Sequence, residues 1–279
     1  MHRIKRVLSI SFANFRKWIS NPRIFVLILL LIMIVRNYLS PIIDISKSLG
    51  MSITPWVFPY LTCNCYFLLF FMLGIILLFC DAPFCDNTQP YVLIRSNKNE
   101  WLLGQIVYIV FASALYVITV ILLSIIFLVP YLTFNMDWGK VLGTLSQTEA
   151  YTGIYIPYKI QLNYSPVQAM ILSFISSWIV CVFLGMIMLF FNINFRHTIG
   201  NLISCALIAM VIFARNSPFI VTYFSPVSWA SLDIIDPTNT TKYPSILLVF
   251  SVLGILIVLL AILSNATFKR KSITLLPTL

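Results

Sequence analysis

WLLGQIVYIVFASALYVITVILLSIIFLVPY, residues 101–131, runs for 31 positions without one Asp, Glu, Lys or Arg. An α-helix rises 1.5 Å per residue, so about 20 apolar residues cross the ~30 Å hydrocarbon layer of a bilayer. This stretch does so with length to spare. The rest of the chain repeats its character: 60% of the 279 residues are hydrophobic and only 9% are charged. Soluble domains carry about 25% charged residues. So few charges cannot hydrate the surface of a globule of this size. The fold class expected is all-α: a polytopic integral membrane protein, one transmembrane domain over residues 1–279.

Working outward from residues 101–131, apolar runs place six spans near 23–43, 55–80, 101–131, 166–192, 198–214 and 244–266. Ahead of the first, residues 1–22 read as an amphipathic interfacial helix. Ile4, Leu8, Phe12, Phe15 and Ile19 recur at helical spacing, with Arg3, Lys5, Arg6, Arg16 and Lys17 as basic positions and Trp18 near the end. A plain positive anchor with no further role is compatible with the same pattern. Ser20-Asn21-Pro22 then turns the chain into the bilayer. The late apolar onset and the missing small-residue cleavage site argue against a removed signal peptide, and no lipidation motif is visible.

Lys and Arg set the orientation. Six spans put both termini on one side. That side, with the 81–100 loop and the 193–197 turn, collects twelve of the 18 basic residues and three of the eight acids. It is expected to be cytoplasmic, in a plasma membrane, and its positive excess faces anionic lipid rather than nucleic acid. Six cysteines lack the spacing and histidine partners of a zinc site and read as thiols in or near apolar helices. Neither a metal site nor a disulfide framework is implied.

The 81–100 loop is the polar exception. Thr88 can cap a short helix with Pro90 in its first turn, and Tyr91-Val92-Leu93-Ile94 form an apolar knob. Asn97 and Glu100 have the spacing of a capping box for the next helix, and Trp101 sits where interfacial aromatics belong. A knob exposed to the cytosol docks a partner; a knob that dips into its own membrane is the alternative. On the other side, "DWGKVLGTLSQTEA" (137–150) reads as a short amphipathic surface helix. Residues 215–243 carry Phe219, Ile220, Val221, Tyr223 and Phe224 between Pro218 and Pro226, which reads as half-helices re-entering from the outer face between spans five and six.

Absences narrow the function. The chain has no GxxxxGK[ST] nucleotide loop, no HExxH and no paired carboxylates within a span. Catalytic residues are not expected, which disfavours a membrane enzyme. Arg36, Asp81 and Arg215 are placed at span ends, where long side chains snorkel, and the span midplanes are read as free of ionisable groups. Proton-coupled carriers need such groups at depth, and the Gly/Pro-broken mid-span helices of sodium-coupled carriers are not evident. Energy for any transport would have to arrive from elsewhere.

An amphipathic basic helix, six spans, the loop "DAPFCDNTQPYVLIRSNKNEWLLGQIVY" (81–108) after the second span, and "SPVSW" (225–229) between spans five and six together resemble the permease subunits of bacterial type-2 ATP-binding-cassette exporters. The resemblance implies that residues 81–100 form a coupling loop seated in a separate ATPase subunit. Gln89, Pro90, Tyr91, Val92, Leu93, Ile94 and Arg95 would be its knob, and Lys98 and Glu100 its polar edge. Arg6, Phe12, Phe15, Arg16, Lys17 and Trp18 would belong to the connecting interfacial helix. It implies two ATPase copies that bind ATP and Mg, no cofactor on this chain, and a second permease, identical or related, meeting it across spans two and five. Asn64, Asn201 and Ser204 become pathway candidates, although ordinary helix–helix hydrogen bonding is the simpler account of all three. The implied function is export of a peptide, lipid or drug-like cargo. The competing function is a non-transporting accessory or immunity subunit that binds a partner complex.

Overall fold

The structure, a computed structural model, describes residues 2–84, 97–148, 155–195, 197–216, 219–237 and 242–270. It is all-helical: among the described residues strand-like pairing is limited to two isolated bridges, Ile53 with Leu132 and Asp236 with Ser245. In chain order the helices are α1 (His2–Arg16), α2 (Pro22–Leu49), α3 (Phe58–Cys63), α4 (Cys65–Phe79), α5 (Lys98–Leu128), α6 (Gly139–Thr148), α7 (Tyr158–Asn163), α8 (Pro166–Asn194), α9 (His197–Asn216), α10 (Phe219–Phe224) and α11 (Ile246–Arg270). Five of them, α2, α5, α8, α9 and α11, are long and apolar enough to cross a membrane. By length and composition the chain is a multi-pass membrane protein.

The bundle is wrapped around α8, which packs against α4, α5, α9 and α11. Its start is set by a capping box: Ser165 Oγ accepts from the Gln168 amide, and Gln168 Oε1 accepts from the Ser165 amide. α2 lies on α4 and α5, and α1 lies on α5. The outer faces are apolar. Ile255, Val258 and Ile262 of α11 and Phe25, Val26 and Met33 of α2 are each more than half exposed. Outward apolar side chains of this kind match a lipid solvent, not water.

Two spans depart from their expected form. The first continues to Leu49 rather than ending near 43, although Pro41 lies inside it. A proline removes the amide that the carbonyl four residues back would receive. Here the Ser40 hydroxyl donates to that carbonyl, Asn37 O, at 2.9 Å, and the helix runs on until Gly50 ends it in the left-handed conformation at φ 61°. The extension corrects the placement of Arg36. It sits midway along α2, exposed, instead of at a span end.

The stretch expected as the second span, 55–80, is not one helix. α3 stops at Cys63, Asn64 adopts an extended conformation (φ −76°, ψ 121°), and α4 starts at Cys65. The Asn64 carboxamide oxygen accepts from the Tyr66 and Phe67 amides at 3.1 and 3.2 Å, a complete N-cap. The break falls at neither Gly nor Pro, the residues by which broken spans are sought in the sequence. The cause is an asparagine, which competes with the helix for its own amides.

Beyond α9, the expected half-helices reduce among the described residues to α10 and one 3-10 turn, Ser228–Ala230. Residues 225–236 between and after them are buried without interruption. Irregular backbone at such burial needs local partners. It has them: Trp229 Nε1 donates to Thr222 O at 2.8 Å, Ser228 Oγ to Ser225 O at 2.7 Å, and Ser176 Oγ of α8 to Ala230 O at 3.3 Å. The amphipathic helix expected within 137–150 is α6, with Val141, Leu142 and Leu145 turned inward.

Candidate functional site

The end of the bundle that gathers α1, residues 81–84, the start of α5 and the end of α11 carries most of the basic residues and is called the basic end here. α1 and α5 run together there with their contacts in register. Arg3 Nε and Arg6 Nη1 lie 3.3 and 3.5 Å from the two carboxylate oxygens of Glu100. Asn14 Nδ2 donates to Gln105 Oε1 at 3.0 Å, and Trp18 Nε1 donates to the Tyr108 hydroxyl at 2.7 Å. Gly104 makes the approach possible, because a methyl group at that position would overlap Ile10.

α1 is amphipathic in an inverted sense. Ser11 and Asn14 are buried against protein, while Ile4, Leu8 and Phe12 are exposed. Apolar side chains on the outside and small polar ones inside suit a helix lying in a membrane interface. Among the residues expected on this helix, Arg6 serves Glu100, and Arg16 sits 5.7 Å from the Phe12 ring centroid. Lys17 Nζ donates to Asn14 Oδ1 at 3.1 Å. Phe15 and Trp18 turn toward Tyr108.

Tyr108 is the junction. Its ring meets Phe15 of α1 at 4.9 Å, Phe84 at 4.8 Å and Phe79 of α4 at 6.3 Å between centroids. Phe84 is the last described residue before the 85–96 segment. Just upstream, Asn192 Nδ2 of α8 donates to Ala82 O at 2.7 Å, and Arg23 of α2 pairs with Asp81. Downstream of the segment, Glu100 is 3% exposed and held by α1. The described residues on either side, 81–84 and Glu100, are thus fixed to the bundle by side chains on α1, α2, α5 and α8.

Gln89, Pro90, Tyr91, Val92, Leu93, Ile94 and Arg95 lie outside the described residues, as does the expected Thr88 cap. Glu100 does not close a capping box with Asn97: Asn97 makes no side-chain cap bond, and the carboxylate is turned to Arg3 and Arg6. Trp101 packs against protein. It is 2% exposed and stacked on Phe268 of α11 at 5.0 Å. Lys98 opens α5. Tyr108, Gln105, Asn14, Phe84 and Asn192 were not singled out from the sequence.

A second constellation lies at the opposite end of the bundle. Arg215, near the end of α9, is 19% exposed at its side chain, and Asp233 is 7% exposed. Nη1 and Nη2 of Arg215 reach the two oxygens of Asp233 at 2.5 and 3.2 Å, and Nη2 also donates to Ser231 Oγ at 3.3 Å and to Cys63 O. Lys159 Nζ donates to Asp233 O at 3.4 Å and stands 4.8 Å from the Tyr243 ring centroid. Burial, and then the Asp233 carboxylate, raise the Tyr155 phenol above its ordinary value, so it faces Arg215 as a neutral ring at 5.6 Å. Arg215 does not snorkel, as a span-end arginine was expected to; it turns inward. Removing one partner of such a buried pair costs about 3–5 kcal/mol, because the other charge is left uncompensated.

The pathway candidates separate. Asn64 is consumed as the α4 cap. Asn201 Oδ1 and Ser204 Oγ of α9 are buried and accept or donate no hydrogen bond among the described residues. The described residues hold no convergent His, Cys, Asp or Glu cluster suited to a metal, and their five cysteines are free thiols. No family model matches the chain, and no curated protein or solved structure matches it.

Proposed function

We propose that the chain is the membrane permease subunit of an ATP-binding-cassette exporter, moving a peptide, lipid or drug-like cargo with energy from a separate ATPase. In this reading there are six spans, the second made of α3 and α4, and residues 219–237 re-enter from the outer face. The basic end is cytoplasmic, and two permeases pair. Residues 85–96 dock on the ATPase.

One observation supports this best: Phe84 and Glu100, which flank residues 85–96, both pack at the α1–α5 junction. Phe84 rests on Tyr108, Tyr108 bonds Trp18, and Glu100 holds Arg3 and Arg6. A push on the segment between them reaches α1, α4 and α5 as one body. A loop serving only to connect two spans needs no such anchorage. Apolar knob residues with flanking charges are the composition of a docking contact, the former for affinity and the latter for register.

The test is co-purification from native membrane. The parent chain brings down a protein with a nucleotide-binding loop. Leu93→Asp with Ile94→Asp loses it while the variant remains membrane-inserted and as thermally stable as the parent. Retention of the ATPase at parental level by the double variant contradicts the docking assignment. A partner complex lacking any nucleotide-binding subunit supports the accessory or immunity reading instead.

A further inference from the structure

A helix that stops leaves its last carbonyls without amide partners. Within a membrane, water does not repair the loss. At the break in the second span one such carbonyl, Cys63 O, is taken by Arg215, 152 residues away in the chain. The same guanidinium holds Asp233 and Ser231. Three elements that are remote in sequence therefore meet on one cation: α3, α9 and the buried 225–236 segment.

The chemistry of this contact is unusual for a purely cohesive role. Apolar side chains of similar volume hold a buried interface as well as an ion pair or better. An ion pair with defined hydrogen bonds gives something else, a single position that is lost abruptly once the partners separate. Beside it, α4 completes its first turn with the Asn64 side chain and takes nothing from α3 to do so. Displacing α3 would leave these cap bonds intact.

From this geometry we infer that Arg215, Asp233 and Ser231 form a latch and that Asn64 is the hinge next to it. Closed, the latch ties the end of α3, which packs on α4 and α8, to α9 through Cys63 O. Released, α3 swings at Asn64 and opens the bundle at the end away from α1. The latch is a property of the fold alone; its use as the far gate of an export path rests on the transport proposal.

Cys63 is a built-in reporter, since it is 1% exposed and lies at the latch, and Cys181, fully buried in α8, is the control. The full-length chain, with its other four cysteines replaced by serine, is placed in liposomes with no nucleotide, partner or cargo and treated with a membrane-impermeant maleimide. The expected result is slow labelling of both thiols in the parent. Arg215→Gln and Asp233→Asn each speed Cys63 by about tenfold or more and leave Cys181 unchanged, as local opening requires. Ser231→Ala, which keeps the ion pair, has a smaller effect. An unchanged Cys63 rate in both charge variants overturns the latch. So does equal acceleration at Cys63 and Cys181, which would make the cluster a general stabiliser of the fold, or a Ser231→Ala effect as large as that of Arg215→Gln. Because nothing in the assay depends on transport, its failure leaves the export proposal standing, and failure of the export proposal leaves the latch standing.

Discussion

Tyr108 joins α1, α4 and the entrance to residues 85–96 through one ring and one hydroxyl. The two kinds of contact can be separated by substitution. Tyr108→Phe keeps the ring packing and removes only the bond from Trp18, a loss of about 1 kcal/mol. Tyr108→Ala also removes the ring, a loss of about 3–5 kcal/mol. Equilibrium unfolding in detergent measures both, and equal losses would mean that the ring contacts hold nothing together. In the sequence, Trp18 and Glu100 stand out because they are rare residue types in an apolar chain. Their partners do not. Asn14, Gln105 and Tyr108 look like ordinary members of a helix, and their pairing crosses about ninety positions. Helical periodicity tells which residues share a face, not what that face meets. Arg215 misleads for the same reason: its place near a helix end is legible, but the acid and the carbonyl it turns toward come from elements far away in the chain.

At the scale of elements, composition locates helices well and their interruptions badly. Residues 101–131 are found as α5 with a 3-10 extension to Tyr131, and 166–192 as α8. Pro41 looks like a stop and is carried through, because Ser40 repairs the missing bond. Asn64 sits in an apolar run, where it is easily passed over, and breaks the helix. The asymmetry is physical. A short polar side chain decides locally whether it serves the backbone as a patch or as a competitor, and hydropathy averaged over a window does not register which. Asn64→Ala is expected to cost about 1 kcal/mol through loss of the cap. It also leaves the Tyr66 and Phe67 amides without their acceptor, so both exchange hydrogen faster, read by mass spectrometry on the folded chain. Unchanged exchange at these two amides would show that α4 does not depend on Asn64 for its start.

For the molecule as a whole, the sequence reading was strongest where it rested on solvent. A chain with so few charges must find its solvent in lipid, and the exposed apolar faces of α2 and α11 agree. It was weakest on what lies between the helices, since buried irregular segments such as 225–236 add distant partners such as Ser176 to their local bonds, and no local pattern announces those. The two ends of the bundle carry distinct contacts: at one, α1 and α5 joined through Tyr108 and Glu100; at the other, the α3–α4 break beside the Arg215–Asp233 ion pair. Under the export proposal, the energy comes from the separate ATPase. The most direct test is reconstitution of the isolated chain in sealed liposomes under an imposed proton or sodium gradient, followed by addition of its co-purified ATPase and ATP. The account predicts no vectorial movement of cargo and no ATP hydrolysis by the chain alone, and ATP-dependent movement once the ATPase is added. Cargo transport by the isolated chain, driven by the ion gradient alone, would contradict it.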